Sequence, residues 1–100
     1  MQKRDSQEKG GDIVQKVSRF VNNDPESLNV FVETKLKEAV EDGYNYLLVT
    51  NTIFEHEKYK IFTVPIDNYE EINLIQRDYP NFRGCKVLII NDKVREMYGS

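Results

Sequence analysis

A helix framed at both ends constrains this chain more than any other feature. Asp24 stands where an N-cap accepts free amides, Pro25 follows at N1 where a missing N–H costs nothing, and Glu26 suits the positive end of the dipole. Gly43 supplies the stop. Between them Leu28, Val32, Leu36, Ala39 and Val40 line one face with Phe31 at its edge, so the spacing predicts a helix from Pro25 to Asp42. The same stretch has a second reading as a strand over Leu28 to Lys35, because Val30, Phe31 and Val32 are good strand formers.

The flanking segments are read against that helix. Upstream, Ile13, Val17, Phe20 and Val21 fall at i, i+4, i+7 and i+8 with Asp12 as cap, which predicts a first helix ending near Asn22. Downstream, Tyr44 to Phe54 is rich in β-branched and aromatic residues, and Lys58 to Ile66 alternates Tyr59, Ile61 and Thr63 with Lys58, Lys60, Phe62 and Val64. Two antiparallel strands joined near Glu55 to Glu57 follow. Asp67 and Glu70 make a D-x-x-E capping box before Tyr69, Ile72, Ile75 and Tyr79, giving a third helix that stops at Pro80. Cys85 to Ile90 is apolar on both faces and reads as a buried strand, and Val94, Met97 and Tyr98 add a helical turn to the tail.

The fold class expected is therefore α+β: two N-terminal helices, a β-hairpin, a crossover helix and a third strand (ααββαβ), with a small three-stranded mixed sheet packed on the helices. With the Tyr44 strand in the middle, the hairpin's second strand and the final strand run parallel on either side of it. At 100 residues the chain holds one core, so residues 12 to 100 are taken as a single domain. Residues 1 to 11 are polar and charged with paired glycines, and read as a disordered tail.

Composition narrows the functional classes. Lys plus Arg total 14 against 17 Asp plus Glu, a net charge of -3 that argues against duplex DNA as the main ligand. The single Cys85 excludes an intrachain disulfide, the polar N-terminus lacks the apolar core of a signal peptide, and no apolar run spans a bilayer. A cytoplasmic protein with no membrane partner is expected.

Several residues could carry chemistry. Glu55, His56 and Glu57 are metal-ligand types, but consecutive strand residues point to opposite faces, and a solvated hairpin tip is expected with no metal. Cys85, near Arg83 and Lys86, could be a nucleophile, against a buried thiol at the start of an apolar strand. Thr50, Asn51 and Thr52, with Asn91 and Asp92, sit near strand ends, where open sheets hold small polar ligands. No glycine-rich phosphate loop is present, so no cofactor is expected. Lys58 and Lys60 share a strand face with Phe62, a combination that binds single-stranded nucleic acid or protects an edge strand. Six tyrosines without tryptophan suggest a protein contact face, and Tyr59 joins Lys58, Lys60 and Phe62 as the candidate binding set.

Glu33-Thr34-Lys35 is an E-x-K triplet, Glu41 to Phe54 runs from a helix end through Gly43 into LLVTNTIF, and the chain closes on VLIINDKVREMY. These segments resemble parts of Mrr-type restriction-endonuclease-like domains. The resemblance implies a divalent metal held by Glu33 and an upstream acid, Asp24 or Glu26, with Lys35 positioning water.

The function expected from these observations is a small protein-binding module, a regulator, inhibitor or assembly adaptor without catalytic activity. An apolar final strand at a sheet edge needs a cover, which suggests a homodimer. The alternatives are an active or degenerate Mrr-type domain and a single-stranded nucleic-acid-binding domain.

Overall fold

A computed structural model describes residues 16–99. The polar tail over 1–11 and the first part of the expected N-terminal helix, 12–15, lie outside the described residues. The order is β1 (Ser18–Asn22), α1 (Pro25–Glu41), β2 (Tyr46–Val49), β3 (Ile53–Glu55), β4 (Lys58–Ile66), α2 (Glu71–Asp78), a 3-10 turn (Pro80–Phe82), β5 (Lys86–Ile89) and α3 (Asp92–Gly99). One five-stranded sheet runs β1-β4-β2-β5, with β3 also paired to β4, and every neighbouring pair is antiparallel.

The class is α+β, but the expected ααββαβ order with a three-stranded mixed sheet is corrected. Ser18–Asn22 forms a strand where the spacing predicted helix, pairing Ser18 with Thr63 and Asn22 with Tyr59. The apolar spacing there fits only the helical period, since the adjacent Phe20 and Val21 face opposite sides of a strand, and pairing with a distant strand overrides it. Phe20 turns inward and stacks on Phe31 of α1, ring centroids 4.8 Å apart.

The single strand expected over Tyr44 to Phe54 is two short ones laid along the same side of β4, β2 against Thr63–Ile66 and β3 against Lys58–Lys60. Between them Thr50, Asn51 and Thr52 leave the ladder. The Phe62 N–H donates to the Thr50 hydroxyl at 2.9 Å while the Thr50 N–H donates to the Phe62 carbonyl at 3.0 Å. A side-chain oxygen thus replaces a backbone carbonyl at the interruption.

Helix α1 forms where its end signals place it. Asp24 accepts from the Glu26 N–H at 3.0 Å and the Ser27 hydroxyl at 3.1 Å. At the other end Gly43, at φ +85°, donates to Val40 and Tyr44 donates to Ala39, a Schellman closure that a left-handed glycine permits. Glu33 and Lys35 therefore lie on a helix, which settles the strand alternative for Leu28 to Lys35. The capping box expected from Asp67 is not formed: α2 begins at Glu71, and Glu71 itself accepts from the Asn68 N–H at 3.1 Å.

Because side chains alternate along strands, the sheet has two packed faces. On one, Leu47, Val49 and Ile61 meet Leu28 of α1, and α3 joins through Val94 and Tyr98 beside Ala39, Val40 and Ile90. On the other, Leu48, Val64 and Ile66 meet Ile72 and Ile75 of α2 and Phe82. Strand β2 lies between β4 and β5, which consequently run in the same direction. Pro65 has no N–H to give, and β4 tolerates it because β1 pairs only as far as Thr63, leaving the side that Pro65 faces open. Among the described residues no helix is long and apolar enough to cross a membrane.

Candidate functional site

Among the described residues strand β5 pairs with β2 alone and ends the sheet. Lys86 and Leu88 stand opposite Val49 and Leu47, and the Ile90 N–H continues that side by donating to the Asn45 carbonyl at 2.9 Å. The backbone groups of Val87 and Ile89 accordingly face outward. The strand lies at the edge where the sequence reading put it, but it is not buried on both faces as expected: Lys86 and Ile89 are exposed, Ile89 to 61%. In the run VLII, Val87, Leu88 and Ile90 are partly or fully covered and Ile89 is the open residue. Beside Ile89 on the same face stands Tyr46, its register partner, with the 63% exposed Tyr69 edge-on to it at 5.7 Å.

The candidate set Lys58, Tyr59, Lys60 and Phe62 is divided by the pleat. Tyr59 belongs to the α1 face, tilted against Phe54 at 4.7 Å and packed near Ile61. Lys58, Lys60 and Phe62 belong to the other face, where Phe62 packs partly into the core around Val64. Register adds residues that the sequence reading missed. Val21 and Ile53 flank Lys60 from either side, and Arg19 lies next to Phe62. Val21 is 37% and Ile53 38% exposed, so this end of the sheet presents cations among apolar side chains. Glu55 is the acid within it, 3.9 Å from Lys60.

His56 and Glu57 form the two-residue turn between β3 and β4, both at positive φ (54° and 62°), and the His56 Nε2 lies 3.3 Å from Glu55. Cys85 is half-buried; burial pushes its thiol up, and the Gln76 amide 3.9 Å away pulls it only part of the way back. A thiol held in its neutral form is a poor nucleophile. Asn91 caps α3, accepting from the Val94 N–H at 3.0 Å, and Asp92 opens that helix. Arg95 of α3 ties the sheet end together, donating to the Asn45 side chain at 2.9 Å and the Ile90 carbonyl at 3.2 Å.

Glu33 and Lys35 are two apart on α1 and lie on different sides of the helix, with Lys35 paired to Glu38 at 3.2 Å. The strand-borne arrangement that the Mrr-type resemblance implies is therefore not the one found. Among the described residues no three His, Cys, Asp or Glu side chains gather as metal ligands. Glu33 instead borders a groove of about 690 Å³ together with Thr50, Asn51, Thr52, Lys86 and Tyr98, residues from four separate elements and loops. No family model, no curated protein and no solved structure matches this chain.

Proposed function

We propose that this chain is a binding module that works by strand addition at β5, with another protein chain as its partner and a second copy as the simplest occupant. The observation that carries this reading is that an apolar strand lies at the sheet edge with Ile89 61% exposed. Unpaired edge groups are a template for another strand, and natural proteins blunt such edges unless they use them. The edge is also compatible with itself. A two-fold axis at Leu88 sets Val87 against Ile89 of the copy and Lys86 against Ile90, with no like charges opposed. Tyr46 and Tyr69 extend the apolar surface next to the added strand.

Light scattering over micromolar to millimolar protein tests this. The intact chain is expected to show twice the monomer mass, and Ile89→Lys to return it to the monomer mass with an unchanged circular dichroism spectrum. A monomer at millimolar concentration rules out the second copy as the occupant.

A second reading is supported by the row Val21, Lys60 and Ile53, with Arg19 and Lys58 nearby: single-stranded nucleic acid bound across β1, β4 and β3. Its mark is affinity for an oligothymidylate that falls steeply with salt and with Lys60→Glu. Unchanged anisotropy at low salt eliminates it.

A further inference from the structure

The α1 face holds the groove of about 690 Å³, within the size range of small-molecule sites. Leu28, Val49 and Ile61, at 5%, 5% and 4% exposure, make its floor together with Leu88. Its rim carries the exposed Glu33 from α1 and the exposed Lys86 from β5. Neither has an ion-pair partner among the described residues. The Glu33 carboxylate accepts only a long hydrogen bond, 3.5 Å, from the Tyr98 hydroxyl. Two unpaired charges of opposite sign thus border one sheltered apolar floor.

We infer that this groove binds an apolar zwitterion of dipeptide size, its ammonium at Glu33, its carboxylate at Lys86 and its side chains on Leu28, Val49, Ile61 and Leu88. The physical reason is desolvation. A ligand that fills the groove strips water from both rim groups, and a desolvated charge without a partner is costly. A ligand with a single charge leaves one rim group stranded, a neutral ligand leaves both, and a zwitterion answers each. The floor offers four apolar side chains from four elements, room for more than one ligand side chain, and a dipeptide is the smallest zwitterion that carries two. Ile89 and the tyrosines beside it occupy the opposite face, whereas Lys86 belongs to β5 itself and points its side chain to the groove face, so this inference needs the groove and not the edge pairing.

An NMR titration of the intact chain with phenylalanyl-leucine, its N-acetyl derivative and its C-terminal amide tests it. The free dipeptide is expected to shift the methyl signals of Leu28, Val49, Ile61 and Leu88 saturably, and each blocked form to bind about tenfold more weakly. Glu33→Gln should lower the free dipeptide to the affinity of the N-acetyl form and leave that form unaffected. Lys86→Met should do the same for the amide. Amide spectra unchanged away from the groove show that both variants keep the fold. Absence of saturable shifts at millimolar dipeptide, blocked forms that bind as tightly as the free dipeptide, or variants that weaken all three ligands alike would overturn it.

Discussion

The Thr50 hydroxyl receives the Phe62 N–H at 2.9 Å, and through that bond a broken edge is sealed. Strands β2 and β3 share the same flank of β4 but do not join. At the gap β4 would face solvent or an unsatisfied amide. Thr50 is 3% exposed, so its oxygen meets that amide inside the fold. The same interruption lets Thr50, Asn51 and Thr52 line the groove, which links the sheet defect to the candidate ligand site.

Replacing Thr50 by valine keeps the shape and removes the acceptor. The Phe62 N–H is then buried without a partner, and the expected loss is about 1–3 kcal/mol in urea unfolding. Hydrogen exchange at the Phe62 amide should accelerate with it, while Thr50→Ser preserves both. Native exchange in Thr50→Val would show that the hydroxyl is dispensable.

Thr63 presents the opposite situation. It is 1% exposed between β1 and β2, and its hydroxyl has no hydrogen-bond partner among the described residues. Thr63→Val removes a polar group already deprived of water, so a gain of roughly 1 kcal/mol is expected from chemical denaturation. A loss of stability would mean that solvent in the adjoining cavity of about 210 Å³ reaches the hydroxyl.

The hairpin tip stores strain. His56 and Glu57 both adopt left-handed backbone angles, which cost about 1–2 kcal/mol per residue for side chains carrying a Cβ. The two-residue turn that needs them prefers Asn-Gly. The double variant His56→Asn, Glu57→Gly should therefore raise the midpoint of thermal unfolding, with a gain of about 1–2 kcal/mol. An unchanged midpoint would mean that the turn carries no recoverable strain.

Cys85 should react slowly with iodoacetamide at neutral pH, because burial raises its pKa and only the thiolate attacks. The sign follows for stability as well. A folded-state value above the unfolded one means that the neutral thiol favours the fold at neutral pH, and that this contribution is lost as pH rises through the raised value. Alkylation as fast as that of an exposed thiol peptide would contradict the burial.

Local signals were readable and non-local ones were not. Asp24, Pro25 and Gly43 marked α1 because capping acts within a few residues of the chain. The alternation of Tyr59, Ile61 and Thr63 with Lys58, Lys60 and Phe62 marked β4 and its two faces. Val17, Phe20 and Val21 misled because their spacing fits a helix stripe, and the pairing that overrides it lies some forty residues away, Ser18 against Thr63. The candidate site was legible in pieces. Lys58 and Lys60 could be put on one face with Phe62, but their neighbours Arg19, Val21 and Ile53 come from other strands through register alone.

By itself, the sequence determined the single framed helix, the long alternating strand, the lone thiol and the charge balance, all properties of a residue and its near neighbours. Tertiary structure alone decided that a fourth and fifth strand, β1 and β3, flank β4, that Ile89 is the open residue of the edge strand, and that Glu33 of α1, Lys86 of β5 and Tyr98 of α3 border one groove. Sheet order and helix packing are set by the burial of whole faces against each other, and no window of sequence contains both partners of such a contact.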